Sequence, residues 1–123
     1  MTSPKQILVV DNQEFNVDLV RTVLTRGGFE VIAAVSGVEA IEMVKVRKPD
    51  LVLMDLQLPE MDGLETTRRL LEDPKCKGVK VVAFSALAMT ADRERALEAG
   101  CIGYITKPIG ARDLIAEVKS YLK

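Results

Sequence analysis

Histidine is absent from this chain of 123 residues, and cysteine occurs only twice, as Cys76 and Cys101. Without an imidazole there is no His-bearing zinc site and no Cys–His or Ser–His nucleophile pair. The two cysteines lack a C-x-x-C spacing and read as free thiols. A surplus of one charge is missing as well: 17 Lys and Arg stand against 18 Asp and Glu, so there is no basic excess to hold a nucleic-acid backbone. No apolar stretch reaches the roughly 18 residues needed to cross a bilayer, and MTSPKQILVV is too briefly apolar for a signal peptide. Nucleic-acid binding and membrane insertion are therefore not expected, and a cytoplasmic location follows. With 48% hydrophobic and 28% charged residues the composition is that of a globular protein, and the length suits one domain, 1–123, without room for an effector domain.

What is present is a regular alternation. ILVV (7 to 10), VIAAV (31 to 35), LVLM (51 to 54), VKVVAF (79 to 84) and IGYIT (102 to 106) read as five short strands, mostly without polar alternation. Such runs suit strands covered on both faces. Helical patterns lie between them. Residues 14 to 27 set Phe15, Leu19, Val23 and Leu24 on one inward stripe, stopped by Gly27 and Gly28. Ser36 and Glu39 have the spacing of a capping box and open a second helix that ends before Pro49. A third covers 63 to 73 with Leu64, Leu70 and Leu71 inward, and Asp73 and Pro74 close it. A fourth covers 90 to 99 and ends at Gly100; a fifth covers 111 to 122 and buries Leu114, Ile115, Val118 and Leu122. Met54, Met61 and Met89 read as packing residues, and the charges of DRERALEAG and TTRRL as exposed helix faces. Five βα repeats predict an α/β fold, a doubly wound parallel sheet with helices on both faces.

In such sheets ligands bind beyond the carboxyl ends of the strands. Asp11 follows the first strand, Asp55 the third, Ser85 the fourth and Lys107, after Thr106, the fifth. Two carboxylates, a hydroxyl and an ammonium are thus expected to meet at one edge. Singly, each has a plainer reading: an Asp at a strand end is more often a cap or turn former, and a Ser or Lys a solvated loop residue. Jointly they favour a site. In DLQLPEMDG, Asp62 is the natural cap of the next helix, while Pro59 and Gly63 belong to the turn, which leaves Asp55 no evident structural duty.

A carboxylate can attack phosphorus to form an aspartyl phosphate. Donor and acceptor are both anionic, so the reaction calls for a hard divalent cation on oxygen ligands, Mg2+ or Mn2+. Lys107 would neutralise phosphoryl oxygens and the Ser85 hydroxyl would donate to another. With no His in the chain, any phosphohistidine donor must be another protein. A nucleotide or flavin binder on the same fold would want a Gly-rich turn after the first strand, and VVDNQEFN has none.

The motifs ILVVDNQEFN, LVLMDLQLPEMDG, VVAFSALAM and GYITKPI, in that order, resemble the receiver domain of bacterial two-component response regulators over essentially the whole chain. The resemblance implies a flavodoxin-like five-stranded sheet of order 2-1-3-4-5. It makes Asp55 the phosphoacceptor, supplied by a histidine kinase or histidine phosphotransfer protein, with Asp11, Asp55 and the Gln57 backbone carbonyl on the metal. Ser85 and Tyr104 would be the switch pair, and Lys107 the partner of the phosphoryl group, joined to Pro108 by a cis bond. Such a chain is a phosphoacceptor signalling domain rather than an enzyme, with self-catalysed phosphotransfer and dephosphorylation. Its output would be a downstream protein bound by the fourth helix, fifth strand and fifth helix. DNQEFN, SALAM and GCIGYITKPI are most similar to stand-alone receivers of cell-cycle and polarity signalling and to receivers of hybrid histidine kinases. An initial Met1 and a helix ending near Lys123 favour the stand-alone case.

One position departs from the family pattern. Where two adjacent acids usually follow the first strand, the second here is Asn12. Its amide oxygen can still ligate, but a charge is gone, and a charge pair at about 4 Å is worth roughly 4 kcal/mol at an effective dielectric near 20, before desolvation. Weaker metal binding is expected, with phosphotransfer slowed rather than lost, and less carboxylate repulsion in the empty pocket. The rival reading is a phosphorylation-independent, receiver-like adaptor with a degraded metal site.

Overall fold

A computed structural model describes residues 3–87 and 89–123. Five strands, β1 (Gln6–Val10), β2 (Glu30–Ala34), β3 (Leu51–Met54), β4 (Val81–Ser85) and β5 (Gly103–Thr106), alternate with five helices. The helices are α1 (Glu14–Arg26), α2 (Gly37–Arg47), α3 (Gly63–Glu72), α4 (Thr90–Ala99) and α5 (Ala111–Tyr121). The strands pair in parallel in the order β2-β1-β3-β4-β5, the flavodoxin-like order expected. Strand order reverses between β1 and β3, which opens a crevice at their carboxyl ends.

The unbroken apolar strands follow from burial on both faces. Along β3, Leu51 and Leu53 enter a core with Ile7, Val9, Val82, Phe84 and Ile105, closed by α1 and α5 through Val17, Val20, Leu24, Leu114 and Val118. Val52 and Met54 enter the opposite core with Leu8, Val10, Val81 and Ala83, closed by α2, α3 and α4 through Ala40, Val44, Leu70 and Ala96. Each fully buried Leu or Val side chain contributes about 1.5–3 kcal/mol. Cys76 and Cys101 are buried free thiols.

Local signals act largely as read. Ser36 Oγ accepts from the Glu39 N–H at 3.2 Å, while the Glu39 carboxylate accepts from Val35 N–H, one residue outside the usual box. Asp62 caps α3 through the Glu65 N–H at 2.9 Å. α4 stops at Gly100, whose φ of 113° few other residues tolerate.

Several expectations are corrected: Met89, read as a packing residue, is exposed, and Asp92, read among the exposed charges of α4, is buried. In α1, Leu24 is buried and Val23 partly so, but Phe15 is 77% and Leu19 56% exposed; Val17 and Val20 face the sheet instead. Two apolar stripes share this helix, and one sheet layer covers only one of them. In α3, Leu71 is 42% exposed, and the inward face is completed by Thr66 and Thr67, whose hydroxyls donate to the Asp62 and Gly63 carbonyls. Val35 lies outside β2 and is exposed, and β4 begins at Val81 rather than Val79, after a 3-10 turn at Pro74–Cys76. In α5, Leu114 and Val118 are buried and Ile115 and Leu122 half-buried against the same core.

Candidate functional site

The backbone places the site before any side chain acts. The sheet's hydrogen bonding runs one residue past the strands: Asp11 N–H donates to the Ala34 carbonyl at 3.1 Å, Asp55 N–H to Val10 at 3.0 Å and Lys107 N–H to Ser85 at 2.8 Å. Each of these three residues is thereby pinned to the end of a neighbouring strand. The chain behind Asp55 is held by close approach, since a Cβ on Gly63 would lie 2.3 Å from the Asp55 carbonyl oxygen and 2.8 Å from the Leu56 Cα. Only glycine fits there.

The two carboxylates are oriented alike. Asp11 Oδ1 accepts from the Gln13 N–H at 2.8 Å, and Asp55 Oδ1 accepts from the Gln57 N–H at 2.9 Å. These local turns leave each Oδ2 facing Lys107, whose ammonium lies 2.8 Å from Asp11 Oδ2 and 3.7 Å from Asp55 Oδ2. The ammonium also stands 4.9 Å from the centre of the Phe84 ring, a cation–π contact that steadies its approach. Both carboxylates are buried. Burial raises the Asp55 pKa above the ordinary carboxylate value; the Gln57 N–H and Lys107 pull it down, Asp11 pushes it up, and the net shift is upward.

Ser85 is brought to the same edge but makes no hydrogen bond to Asp55 among the described residues. It is fully buried at the end of β4, and its Oγ accepts from the Leu87 N–H at 3.3 Å. Tyr104, half-buried on β5, donates its hydroxyl to the Leu87 carbonyl. The two residues predicted from sequence as a switch pair thus share the backbone of Leu87, which sequence reasoning did not single out, and the Ser85 hydroxyl also lies close enough to Tyr104 to act on its phenol directly. Burial raises the Tyr104 pKa, and Arg93 lies 5.3 Å over its ring. Thr106, in register with Ser85, has a buried Oγ1 with no hydrogen-bond partner among the described residues. The Lys107–Pro108 peptide is cis.

Asn12 and Gln57 are exposed beside the carboxylates. Among the described residues no group of three His, Cys, Asp or Glu side chains is placed to hold a metal ion. The candidate donors, Asp11, Asp55, the Asn12 amide and the Gln57 carbonyl, are nevertheless all hard oxygens, and the Lys107 contacts show that two carboxylates converge on one cation. The set fits Mg2+ with one negative charge fewer than the family pattern supplies.

The profile of the family described as Response regulator receiver domain matches residues 7–119. This chain is a response regulator receiver domain. It is 41% identical, over 119 residues and 97% of both chains, to the polar-differentiation response regulator DivK of Brucella anthropi. Among solved structures, the CheY-like receiver domain protein of Methanospirillum hungatei JF-1 superposes with a TM-score of 0.88 at 30% identity, covering 98% of this chain and 94% of that one. The receiver domain of sensor histidine kinase PA1611 from Pseudomonas aeruginosa PAO1 gives 0.88 at 28% identity, covering 97% and 98%; that structure holds a magnesium ion in its active-site cleft. The receiver domain is thus a two-component signalling module rather than an enzyme of the usual kind, and no helix of its described residues is long and apolar enough to cross a membrane.

Proposed function

We propose that this receiver takes a phosphoryl group from the phosphohistidine of a histidine kinase or phosphotransfer protein onto Asp55, in the cytoplasm and with Mg2+ or Mn2+. The observation that carries this reading is the single ammonium of Lys107 between the Asp11 and Asp55 carboxylates. An Asp55 oxygen bonds to phosphorus, the donor's P–N bond breaks, and its electron pair stays on the imidazole nitrogen. Lys107 sits where it can neutralise the transferred oxygens. Asp55, Asp11, the Gln57 carbonyl and the Asn12 amide would hold the cation, whose chemistry is to screen the charge shared by carboxylate and phosphate.

Donor docking falls to the face that the helix stripe leaves bare. Phe15 and Leu19 are exposed on α1, and Leu19 lines a shallow apolar hollow with Val23, Pro108 and Ile109 next to Lys107. This is the kind of surface onto which a partner helix can lay an apolar face. Output takes the other route. Phosphorylation draws the Ser85 hydroxyl toward the phosphate, releases the Leu87 N–H, and through the Leu87 carbonyl resets Tyr104 and the surface of α4, β5 and α5 for a downstream protein.

The test is direct. Purified chain incubated with Mg2+ and a small phosphodonor should gain one phosphoryl mass, and the gain should vanish in Asp55→Ala and without divalent cation. Persistent absence of the adduct would instead favour the phosphorylation-independent adaptor, the reading that Asn12 supports.

A further inference from the structure

At the amino end of the sheet, roughly 20 Å of strand from Asp55, lies a cleft of about 380 Å3 between the end of α2 and the 3-10 turn. Lys48, Lys75 and Lys77 line it together with Pro49, Pro74 and Val79. No carboxylate is among its lining residues.

The three lysines lack a direct ion-pair partner among the described residues, although the charge of Lys75 is felt by Asp73. None of them has a carboxylate within ion-pair distance among the described residues. Asp73, which caps the 3-10 turn, is already engaged: its Oδ1 accepts from the Lys75 N–H at 2.9 Å, and its Oδ2 lies 3.4 Å from Lys45 Nζ. Lys48 is held in the left-handed region at φ 47°, where glycine or asparagine ends a helix more cheaply.

We propose that this cleft binds a phosphate-bearing small anion, of the size of a pyrophosphate or a nucleoside diphosphate. Lysine ammoniums are rotatable donors that suit several phosphoryl oxygens, and three exposed lysines line this cleft. The proline and valine walls give an apolar surface on which the remainder of such a molecule can pack, and the volume lies in the range of small-molecule sites. An extended acidic peptide fits less well: the cleft sits below β3 and β4, inside the sheet rather than along an edge strand, so no backbone row is free for strand addition. The site is separate from the phosphoacceptor pocket and is independent of the function proposed for it.

Titration of the full chain with pyrophosphate, and separately with ADP, followed by amide NMR and calorimetry, tests the assignment. Saturable binding is expected, with shifts concentrated at residues 75–79 and not at Lys107. The chain carrying Lys48→Ala, Lys75→Ala and Lys77→Ala together should lose affinity by about tenfold or more, and raising the salt should weaken binding in the parent. Lys48→Gly, which removes one ammonium while relaxing the backbone, should keep the fold and still bind more weakly. Tighter binding of ADP than of pyrophosphate would assign a nucleotide, and equal binding the bare anion. Shifts centred on Lys107, equal affinity in the triple variant, or no saturation with either probe would overturn the proposal.

Discussion

The ammonium of Lys107 is anchored on Asp11, at 2.8 Å, and only approaches Asp55, at 3.7 Å. The second oxygen of Asp55, the proposed nucleophile, is therefore less committed than that of Asp11, although both carboxylates look toward the same cation. Lys107→Met leaves Asp11 buried without its counter-charge. In EDTA the variant should lose about 1–3 kcal/mol of stability in urea unfolding, the cost of stranding a buried polar partner. Added Mg2+ should restore part of that loss, and an unchanged unfolding midpoint in EDTA would show that the contact carries no stability.

Asn12→Asp restores a third acid beside Asp11 and Asp55. Mg2+ affinity, measured by titration, should rise by about tenfold or more, because a charge at contact distance in a half-desolvated site is worth a few kcal/mol before offsets. In EDTA the same variant should be less stable than the parent, because three carboxylates then face one ammonium. Equal affinities in parent and variant would mean that Asn12 lies outside the metal's reach.

Asp55 titrates above the ordinary carboxylate range, mainly because it is buried. The folded chain thus binds this proton more tightly than the unfolded chain does, so ionising Asp55 costs stability as pH rises from the normal Asp value through the raised one. Asp55→Asn removes that cost. Without divalent cation the variant should melt higher than the parent at neutral pH, and the gap should close on acidification as Asp55 in the parent becomes neutral. A gap that widens toward acid would reverse the sign of the argument.

Phe15 and Leu19 expose most of their side chains, so Phe15→Ala and Leu19→Ser should leave the melting temperature almost unchanged. Phosphorylation by a small donor should also be unaffected. Transfer from a cognate phosphohistidine protein should fall by about tenfold or more if these side chains form the centre of the docking surface. Equal losses with both donors would place the effect in the pocket instead.

Thr106 keeps a buried hydroxyl without a partner among the described residues. Thr106→Val keeps the shape and removes the unsatisfied group, so the unphosphorylated chain should gain about 0.5–1.5 kcal/mol in denaturant unfolding. A loss of stability would reveal a partner, water included, that the side chain already holds.

Much of this was readable in the amino acids because the signals were local or jointly constrained. LVLM is uninterrupted since β3 is covered on both faces, and Asp62 with Glu65 at cap spacing freed Asp55 for another role. The convergence of Asp11, Asp55 and Lys107 followed from strand ends alone. What sequence could not decide was which of two stripes on α1 meets the sheet. Phe15–Leu19–Val23 and Val17–Val20–Leu24 both have helical spacing, and only the packing of α1 beside α5 selects the second. The hydrogen bonds of Ser85 and Tyr104 to Leu87 were equally hidden, since they use backbone atoms of a residue whose side chain gives no signal.

The two-residue repeat of the strands has a consequence for sidedness. Tyr104 and Ile105 are consecutive, yet the first lies against the layer of α2, α3 and α4 and the second against that of α1 and α5. Lys107 keeps the latter side, over Phe84, whereas Tyr104 keeps the former, under Arg93. On the proposed reading, news of a modified Asp55 needs to travel only through the thickness of one pleated ribbon to pass from the layer assigned to a donor to the layer assigned to a listener, and a rigid sheet can serve as a party wall between the two conversations.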